Sequence, residues 1–531
     1  MHRKHQILNQ KSIDALLKNR FRGEFLGLKD LPHPNTFKDM DRAVNRLVEA
    51  IKSNEKIVVV GDYDVDGVTA TSIMRLFFDE IGYKAEWIIP NRFTDGYGVS
   101  TTILERIDES VSVIVTVDNG ISAIEAANEC KKRGIDLIIT DHHIVPSQKP
   151  KAYAIIDQKQ LDCTFPHQEV CGAQIAWYLC AALNRAIGAD ISMQSYIEFT
   201  ALAIIADIMP LKHINRAMVE RGLVYLNNSN RAFMRAWRER FGNSILKADD
   251  IAFKMAPMLN SAGRLEDAKV ACDYLCTQSI EEARVLLDEL VDLNERRKTL
   301  ESDITKEALE IVDDSKPVAV VASEDWHEGV VGIVAARVAR KLEKPSIVLT
   351  GAKEYYKGSG RTFGDCHLYN LIDRHRDMLH KFGGHSAAIG MSIKRSQLNS
   401  FIDAISADAI DICALGIYED PDILGILNFN NIDFELYDIL QKYEPYGEAN
   451  PRPKFISRDV NIIESRAIGA EKNHCRYKFE QYGVYIDGIE FRTDIFIPPK
   501  SRVDILYTVT LNSFRGEDTI QLLIEKIEIK D

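Results

Sequence analysis

Short β-branched runs alternate with segments of helical period through the first third of the chain. The runs are IVVVGD at 57–62, AEWIIP at 85–90, VSVIVTVDNG at 111–120, DLIITDHH at 136–143 and KAYAIID at 151–157, with helices reaching about Ile81 and Gly134 between them. Apolar strands separated by helices predict a parallel, doubly wound sheet covered on both faces. Residues 1–55 read as a mostly helical lead-in, with LPHPN at 31–35 as a loop and an amphipathic helix from Asp39 to Ile51.

Beyond the sheet, 213–278 reads as helices, with Gly263-Arg264 placed in a turn after small residues. Ser279 to Asp313 predicts one long helix. Ser279 and Glu282 form a capping-box pattern, and apolar residues recur at Ala283, Leu286, Leu290, Leu293, Leu300, Ile304, Ala308 and Ile311 without Gly or Pro. It would span about 50 Å. The spacing is not a sustained heptad, so it reads as a strut between lobes. A second α/β unit starts with PVAVVASED at 317–325 and carries GSGRT at 358–362 and KFGGHSAAIGMSI at 381–393. From about Gly416 the character changes. EPYGEANPRPKF at 444–455 leads into short alternating strands, which predict a small β-barrel. The expected division is 1–55, 56–278, 279–313, 314–415 and 416–531.

Composition narrows the class. A chain of 531 residues is long enough for about three or four domains. Hydrophobic content of 46% and charge of 27% are those of a soluble globular protein. No apolar run approaches a membrane span, and MHRKHQILNQ lacks the apolar core of a signal peptide. Nine cysteines form no CxxC pair, and Cys272 with Cys276 alone makes no zinc site, so a reducing cytoplasm is expected. A net charge of −13 argues against a wholly basic nucleic-acid coat, yet leaves room for a local basic groove. GxxxxGK[ST] is absent, which excludes a P-loop ATPase.

Candidate chemistry gathers at the strand ends. Asp62, Asp64 and Asp66 follow the first run at alternate positions, and Gly67 opens a helix. Three crowded carboxylates call for a neutralising cation, with a solvated acidic turn as the competing reading. Asp118 ends VIVTV, Asp141-His142-His143 follow DLIIT, and ALAIIADIMPL sets Asp207 at the end of a buried helix. Each could be a plain turn or polar loop alone. Together they occupy the carboxyl ends of one sheet, where ligands bind in such folds. Asp with His suits manganese or magnesium better than a thiolate zinc site. Two such ions need a bridging carboxylate and can clamp the oxygens of a phosphoryl transfer.

Further candidates lie downstream. Gly329 and Gly332 near a helix start allow close backbone approach to a ligand, as do Gly383 and Gly384 ahead of an expected small-residue helix, with His385 adding a donor. Trp326 and His327 read as packing, or as a base-stacking pair. Tyr477, Phe479, Tyr482 and Tyr485 could stack on bases beside Arg476 and Lys478, although half of them must face the barrel core.

GDYDVDG, VDNG, DHH and ADIMPL, in this order and spacing, resemble the four signature motifs of the DHH phosphoesterase superfamily. The downstream segments resemble its branch of bacterial single-strand-specific 5′→3′ DNA exonucleases, from about residue 50 to the end. The resemblance implies a DHH domain, a DHH-associated domain after the long helix and a C-terminal oligonucleotide-binding (OB) fold. It implies two divalent cations, Mn²⁺ or Mg²⁺, held by Asp64, Asp66, Asp118, His142 and Asp207, with Asp118 bridging. Asp62 is either a further ligand or a support for the other two. His143 would lie close to the scissile phosphate, with Asp141 orienting its neighbours. Arg92, in a segment with Tyr97 and Gly98, resembles a channel residue, and Arg264 one beside the active site. A solvated arginine and a structural ion pair are the competing readings. Ser359, Arg361, Gly383, Gly384 and His385 match the segments expected to grip the nucleic-acid backbone. The implied activity releases 5′-mononucleotides from single-stranded DNA in recombination and mismatch repair. Helicases and single-strand-binding protein are the implied partners, with no membrane. Two rivals are a short-oligonucleotide or cyclic-dinucleotide phosphodiesterase and a non-catalytic scaffold. The extra β-domain opposes the first, and the full set of motif acids opposes the second.

Overall fold

The structure, a computed structural model, describes residues 5–21, 26–351, 354–412, 422–469, 472–491, 493, 496–514 and 517–530. The expected boundary near Gly416 lies outside the described residues.

The first 55 residues divide between two places. β1 (Ile7–Leu8) and α1 (Gln10–Phe21) join the far end of the chain, where Ile13, Leu17 and Phe21 pack against Leu436, Leu440 and Tyr443. α2 (Met40–Lys52) instead buries Met40, Ala43, Leu47 and Ala50 against the first sheet.

That sheet comprises β2 (Lys56–Val60), β3 (Glu86–Ile88), β4 (Val111–Val117), β5 (Asp136–Thr140) and β6 (Ala154–Ile156), all parallel in the order β3-β2-β4-β5-β6. One face packs Ile57, Val59, Val113 and Val115 beneath α2, α3 (Val65–Glu80) and α4 (Gly172–Ile187). The other packs Val58, Val60, Ile114 and Ile139 beneath Ile103, Leu104, Ala126 and Cys130. Two-sided burial is why the strands read as unbroken apolar runs. Every β2, β4 and β5 carboxyl end therefore opens on one edge, where the motif residues stand.

α5 (Ile197–Ala206) and α6 (Ala256–Leu265) also belong to this lobe, with helices at 213–228, 232–241 and 269–276 packed into the same core. Gly263-Arg264, expected in a turn, forms the last turn of α6. Gly263 is there because a Cβ would lie 2.2 Å from the carbonyl oxygen of Tyr63. α7 (Ile280–Ile311) is the 32-residue connecting helix. Ser279 accepts from the Glu282 amide at 3.2 Å, while Glu282 turns to the Thr277 hydroxyl, so half of the capping box forms.

The second α/β lobe holds β7 (Ala319–Ser323), α8 (Val331–Leu342), β8 (Ser346–Thr350), β9 (Tyr355–Arg361), β10 (Leu379–Gly384) and β11 (Ala388–Lys394), ordered β10-β11-β9-β8-β7. The segment GGHSAAIG is not a helix start. It is the β10–β11 hairpin, closed by paired backbone bonds between His385 and Ala388 at 2.8 and 3.3 Å. Its alternation of exposed glycine with buried Ile389 and Met391 has the strand period of two.

The last unit has β12 (Ile423–Leu427), α9 (Phe434–Lys442), β13 (Lys454–Ile468), β14 (His474–Gln481), β15 (Val484–Phe491), β16 (Arg502–Phe514) and β17 (Glu517–Ile529). β13 pairs with both β14 and β16, and β15 with β17, closing a five-stranded barrel. β13, fifteen residues long, is the barrel strand that the Pro-rich lead-in concealed. β1 adds to its rim by parallel pairing with β12.

Candidate metal and nucleic-acid site

The site begins with a tight turn between β2 and α3. Asp64 is the N-cap of α3, and its Oδ1 accepts from the Gly67 amide at 3.1 Å. Gly67 is required for space: a Cβ there would fall 2.6 Å from Asp62 Cα. The turn thus folds Asp62, Asp64 and Asp66 onto one another. Asp66 is gripped from elsewhere, by the first amides of α4: Gly172 N at 2.6 Å from Oδ2 and Ala173 N at 2.7 Å from Oδ1. A helix N-terminus is a favourable place for a carboxylate.

Asp118 follows β4 in left-handed backbone, φ 64°. Its neighbour Asn119 fixes that conformation by donating to the carbonyls of Val60, Gly61 and Val117 at 3.1, 3.0 and 2.9 Å and accepting from Val99 N at 2.9 Å. Backbone strain held by a buried clamp is a mark of functional positions. The Asp118 side chain is packed so closely that a Cβ on Gly172 would lie 2.5 Å from its own.

Three ligand-sized groupings result, with atoms within 4.8 Å of one another: Asp62, Asp64 and Asp118; Asp66, His142 and Asp207; and Asp118, His142 and His143. His142 Nε2 lies 3.1 Å from Asp118 Oδ1, 3.6 Å from Asp66 Oδ2 and 3.7 Å from Asp207 Oδ2. Asp118 therefore belongs to two sets at once. Asp62 is buried, and its Oδ1 has no hydrogen-bond partner, nor have Asp118 Oδ1 and Asp207 Oδ2. Orphaned buried carboxylate oxygens are costly unless a cation meets them.

Burial, then mutual repulsion, pushes the Asp62 and Asp118 carboxyls well above the usual carboxylate range. The same two causes raise Asp207 to about 8, through Asp66 and Asp64. Burial holds His142 below the usual imidazole value, as suits a neutral ligand. His143 is opposite in character. Its ring is partly desolvated although 45% of the side chain is exposed, which disfavours its charge, but Asp141 at 2.7 Å from Nδ1 overrides this and raises it to about 9. Its Nε2 faces the Tyr97 hydroxyl at 3.3 Å.

A cleft of about 480 Å³ lies where Arg92 of the first lobe meets the second, lined there by Glu328, Lys357, Ser359, Lys381 and Gly383 among others. Arg92 lies over the Tyr63 ring, 4.2 Å from its centroid, which links the cleft to the Asp62 turn. Arg264 Nη1 donates to Gly329 O at 3.2 Å, and a Cβ on Gly329 would fall 1.9 Å from the Arg264 carbonyl oxygen, so the lobes touch backbone to backbone. Arg361 and Ser359 converge on Gly332, whose Cβ would meet them at 3.1 and 3.3 Å. Gly384 and His385 sit exposed at the hairpin tip, outside the residues lining this cleft.

Trp326 is buried, with Nε1 on Glu307 at 2.9 Å. Tyr477 and Phe479 are barrel core, whereas Tyr482 and Tyr485 are 67% and 59% exposed. Lys478 lies over Tyr485, and Arg476 pairs with Asp487 at 2.7 Å. Sequence reasoning missed Gly172, Ala173, Asn119, Lys357 and Lys381. The run CGA, which caps and opens the apolar α4, was the available signal for the first two.

Comparisons with known proteins bear directly on this geometry. Family models match in three blocks: the DHH family N-terminal domain over 56–204, the DHHA1 domain over 315–410 and the RecJ OB domain over 425–526. The chain is 31% identical to the single-stranded-DNA-specific exonuclease RecJ of Haemophilus influenzae, across 99% of this chain and 95% of that protein. It is 31% identical to the Escherichia coli protein of the same description, over 92% and 90%. RecJ of Thermus thermophilus, solved in complex with Mn²⁺, superposes with a TM-score of 0.82 at 26% identity, covering 99% of this chain and 80% of that one. With its DHH, DHHA1 and RecJ OB blocks in order around the carboxylate–histidine cluster, the chain belongs to the RecJ family.

Proposed function

We propose that this chain is a metal-dependent exonuclease that hydrolyses single-stranded DNA from the 5′ end and releases 5′-mononucleotides. The observation that carries the reading is Asp118, shared between the Asp62–Asp64 set and the His142 set. One carboxylate common to two sets is what a pair of ions requires. The donor set fits Mn²⁺ or Mg²⁺: hard oxygens with one or two imidazoles, and orphaned oxygens on Asp62, Asp118 and Asp207. We assign Asp62, Asp64 and Asp118 to one ion, and Asp66, Asp118, His142 and Asp207 to the other. Two divalent cations, when bound, polarise the phosphodiester and make water nucleophilic at neutral pH.

The residues do the rest. Gly172 and Ala173 hold Asp66 in place. Asp141 fixes the His143 ring and keeps it cationic, ready to stabilise charge on a phosphate oxygen. Arg92, Ser359 and the Gly383 backbone bind strand phosphates along the cleft, with Arg264 and Arg361 behind it and Gly384 and His385 on the exposed hairpin tip beyond it. Tyr482 and Tyr485 offer the barrel's stacking surface. The same reading places the protein in cytoplasmic recombination and repair, fed by a helicase and single-strand-binding protein.

The test is hydrolysis of 5′- and 3′-labelled single strands and duplex with Mn²⁺. Stepwise loss of the 5′ label as mononucleotide, with duplex spared, is expected. Release from the 3′ end, or cleavage of dinucleotides alone, overturns the reading.

A further inference from the structure

The LPHPN segment at 31–35 has no part in the nuclease site, yet it closes one side of a cavity of about 510 Å³. The cavity lies between α2 and α4. Leu31 and Pro32 of the segment, Val44 of α2, and Trp177 and Ala182 of α4 form its walls. Its volume is that of a small-molecule site. Gly172 and Ala173, which hold Asp66, open α4, whereas Arg185 and Ala186 reach the cavity from its last turn. About 20 Å of helix therefore separates the cavity from the metal cluster.

The polar groups of this cavity are mismatched. The Asn35 amide donates to His33 Nδ1 at 3.3 Å, which puts the proton of the neutral ring on Nε2. That Nε2 is in close contact with Nη1 of Arg185, and a guanidinium can only donate. Two donors thus meet with no acceptor between them. Asp41, the carboxylate on the same wall, turns to Asn35 Nδ2 at 3.5 Å, and among the described residues Arg185 forms no ion pair. Tyr178 also lines the cavity and is buried with a hydroxyl that has no partner. The wall is short of acceptors, a deficit that buried polar groups rarely carry without a ligand or water to meet it.

Together the two kinds of wall define an occupant. Leu31, Pro32, Val44 and Trp177 suit an apolar body, and the small alanines of α4 leave space for a flat one. His33 Nε2 and the Arg185 guanidinium can both donate to one anionic oxygen, or to the two oxygens of a carboxylate or phosphate. An anion supplies what the wall lacks.

We propose that this cavity binds a small molecule with a flat apolar or heteroaromatic body and one anionic group, its carboxylate or phosphate held by Arg185 and His33. Nucleoside monophosphates and aromatic carboxylic acids share that chemistry. The site stands apart from the metal cluster and the inter-lobe cleft, so it holds whether or not the exonuclease reading does.

The experiment titrates the full chain with Mn²⁺ by calorimetry. The probes are deoxyadenosine monophosphate and phenylacetate, with deoxyadenosine and benzyl alcohol as their uncharged controls. Wild type takes up at least one anion, and the matching control binds about tenfold or more weakly, the scale of a lost charge-assisted hydrogen bond. Arg185→Ala weakens the anion by the same factor, Arg185→Lys recovers part of the loss, and Ala186→Trp fills the cavity and abolishes binding. Both positions are exposed, so the variants keep the fold, and their hydrolysis of single strands without added ligand stays at the wild-type rate. Uptake of deoxyadenosine monophosphate alone identifies a nucleotide site, uptake of phenylacetate alone an aromatic-acid site, and uptake of both the shared chemistry. A nucleotide held in the catalytic cleft would be indifferent to Arg185, so isotherms unchanged by Arg185→Ala and Ala186→Trp overturn the proposal. Absence of binding by both anions overturns it too. So does loss of hydrolysis in ligand-free Arg185→Ala, which would make the residue part of the lobe's framework.

Discussion

Nδ1 of His143 lies 2.7 Å from Oδ1 of Asp141, the carboxylate that opens the same triplet. That oxygen also accepts from the His142 and His143 amides at 2.7 and 3.1 Å, while Oδ2 accepts from Ile121 N at 2.8 Å. Burial opposes charge on Asp141, yet the His143 hydrogen bond and charge hold its carboxyl below the usual range. A buried, fully bonded carboxylate thus keeps a neighbouring imidazole cationic at neutral pH. Asp141→Asn preserves the shape and removes the charge. The His143 pKa then drops from about 9 toward the ordinary imidazole value. Activity needing His143 protonated is present below that pKa and lost above it, so the alkaline limb of the kcat/KM profile moves to lower pH. At neutral pH the rate falls by about 10²-fold or more. An unmoved alkaline limb would dismiss His143 as the charged group.

Asp118 sets up a trade between stability and function. It is buried among Asp66, Asp64, Asp62 and Asp207, and burial with their repulsion pushes its carboxyl well up. Asp118→Asn removes a buried charge without changing volume. Metal-free protein carrying it should melt at or above the wild-type temperature, while nuclease activity with Mn²⁺ falls by about 10³-fold or more. Melting curves and turnover on the same preparations check both halves. Wild-type turnover in Asp118→Asn would end the shared-ligand account.

Gly172 has no chemistry of its own, and a single methyl there would lie 2.5 Å from Asp118 Cβ and 2.6 Å from its Oδ1. Gly172→Ala must displace either Asp118 or the α4 amides that hold Asp66. A shift near 1 Å at such a centre costs about 10²-fold in rate. The expected result is weakened Mn²⁺ binding, read by calorimetry, with kcat/KM down by about that factor and circular dichroism unchanged. Calorimetric affinity equal to wild type would remove Gly172 from the site's construction.

The division between what the sequence disclosed and what it hid follows the range of the contacts. Asp62, Asp64 and Asp66 announce themselves because the strand, the turn and the helix cap are consecutive residues. The same holds for Asp141 to His143 and for Ser279 capping its helix. Gly172 and Ala173 serve Asp66 from 106 and 107 positions away, and no local pattern encodes that meeting. Asn119 looked like the middle of an ordinary Asp-Asn-Gly turn, since its clamp exists only once β2 lies beside β4. GGHSAAIG misled because small residues with paired glycines suit a helix start as well as a hairpin, and the β9 partner that decides the matter precedes it by some thirty residues. β1, two residues long, carries no period at all and is a strand solely because β12 pairs with it.

Removing metal should reverse the usual pH dependence of a carboxylate-rich fold. Burial and the neighbouring carboxylates raise Asp207 from 3.8 to about 8, and Asp62 and Asp118 are raised as well. Between those two values the folded, metal-free chain retains protons that the unfolded chain has released. Stability then falls as pH rises through the window, because the unfolded state binds fewer protons. EDTA-treated protein should therefore melt at a lower temperature near about pH 8 than near about pH 5. With Mn²⁺ in excess the cations replace those protons, so the gain in Tm on adding metal should grow over the same interval. Calorimetric scans with and without Mn²⁺ at several pH values provide the check. A metal-free Tm that climbs steadily across the window would mean that these carboxylates do not repel one another as the geometry requires.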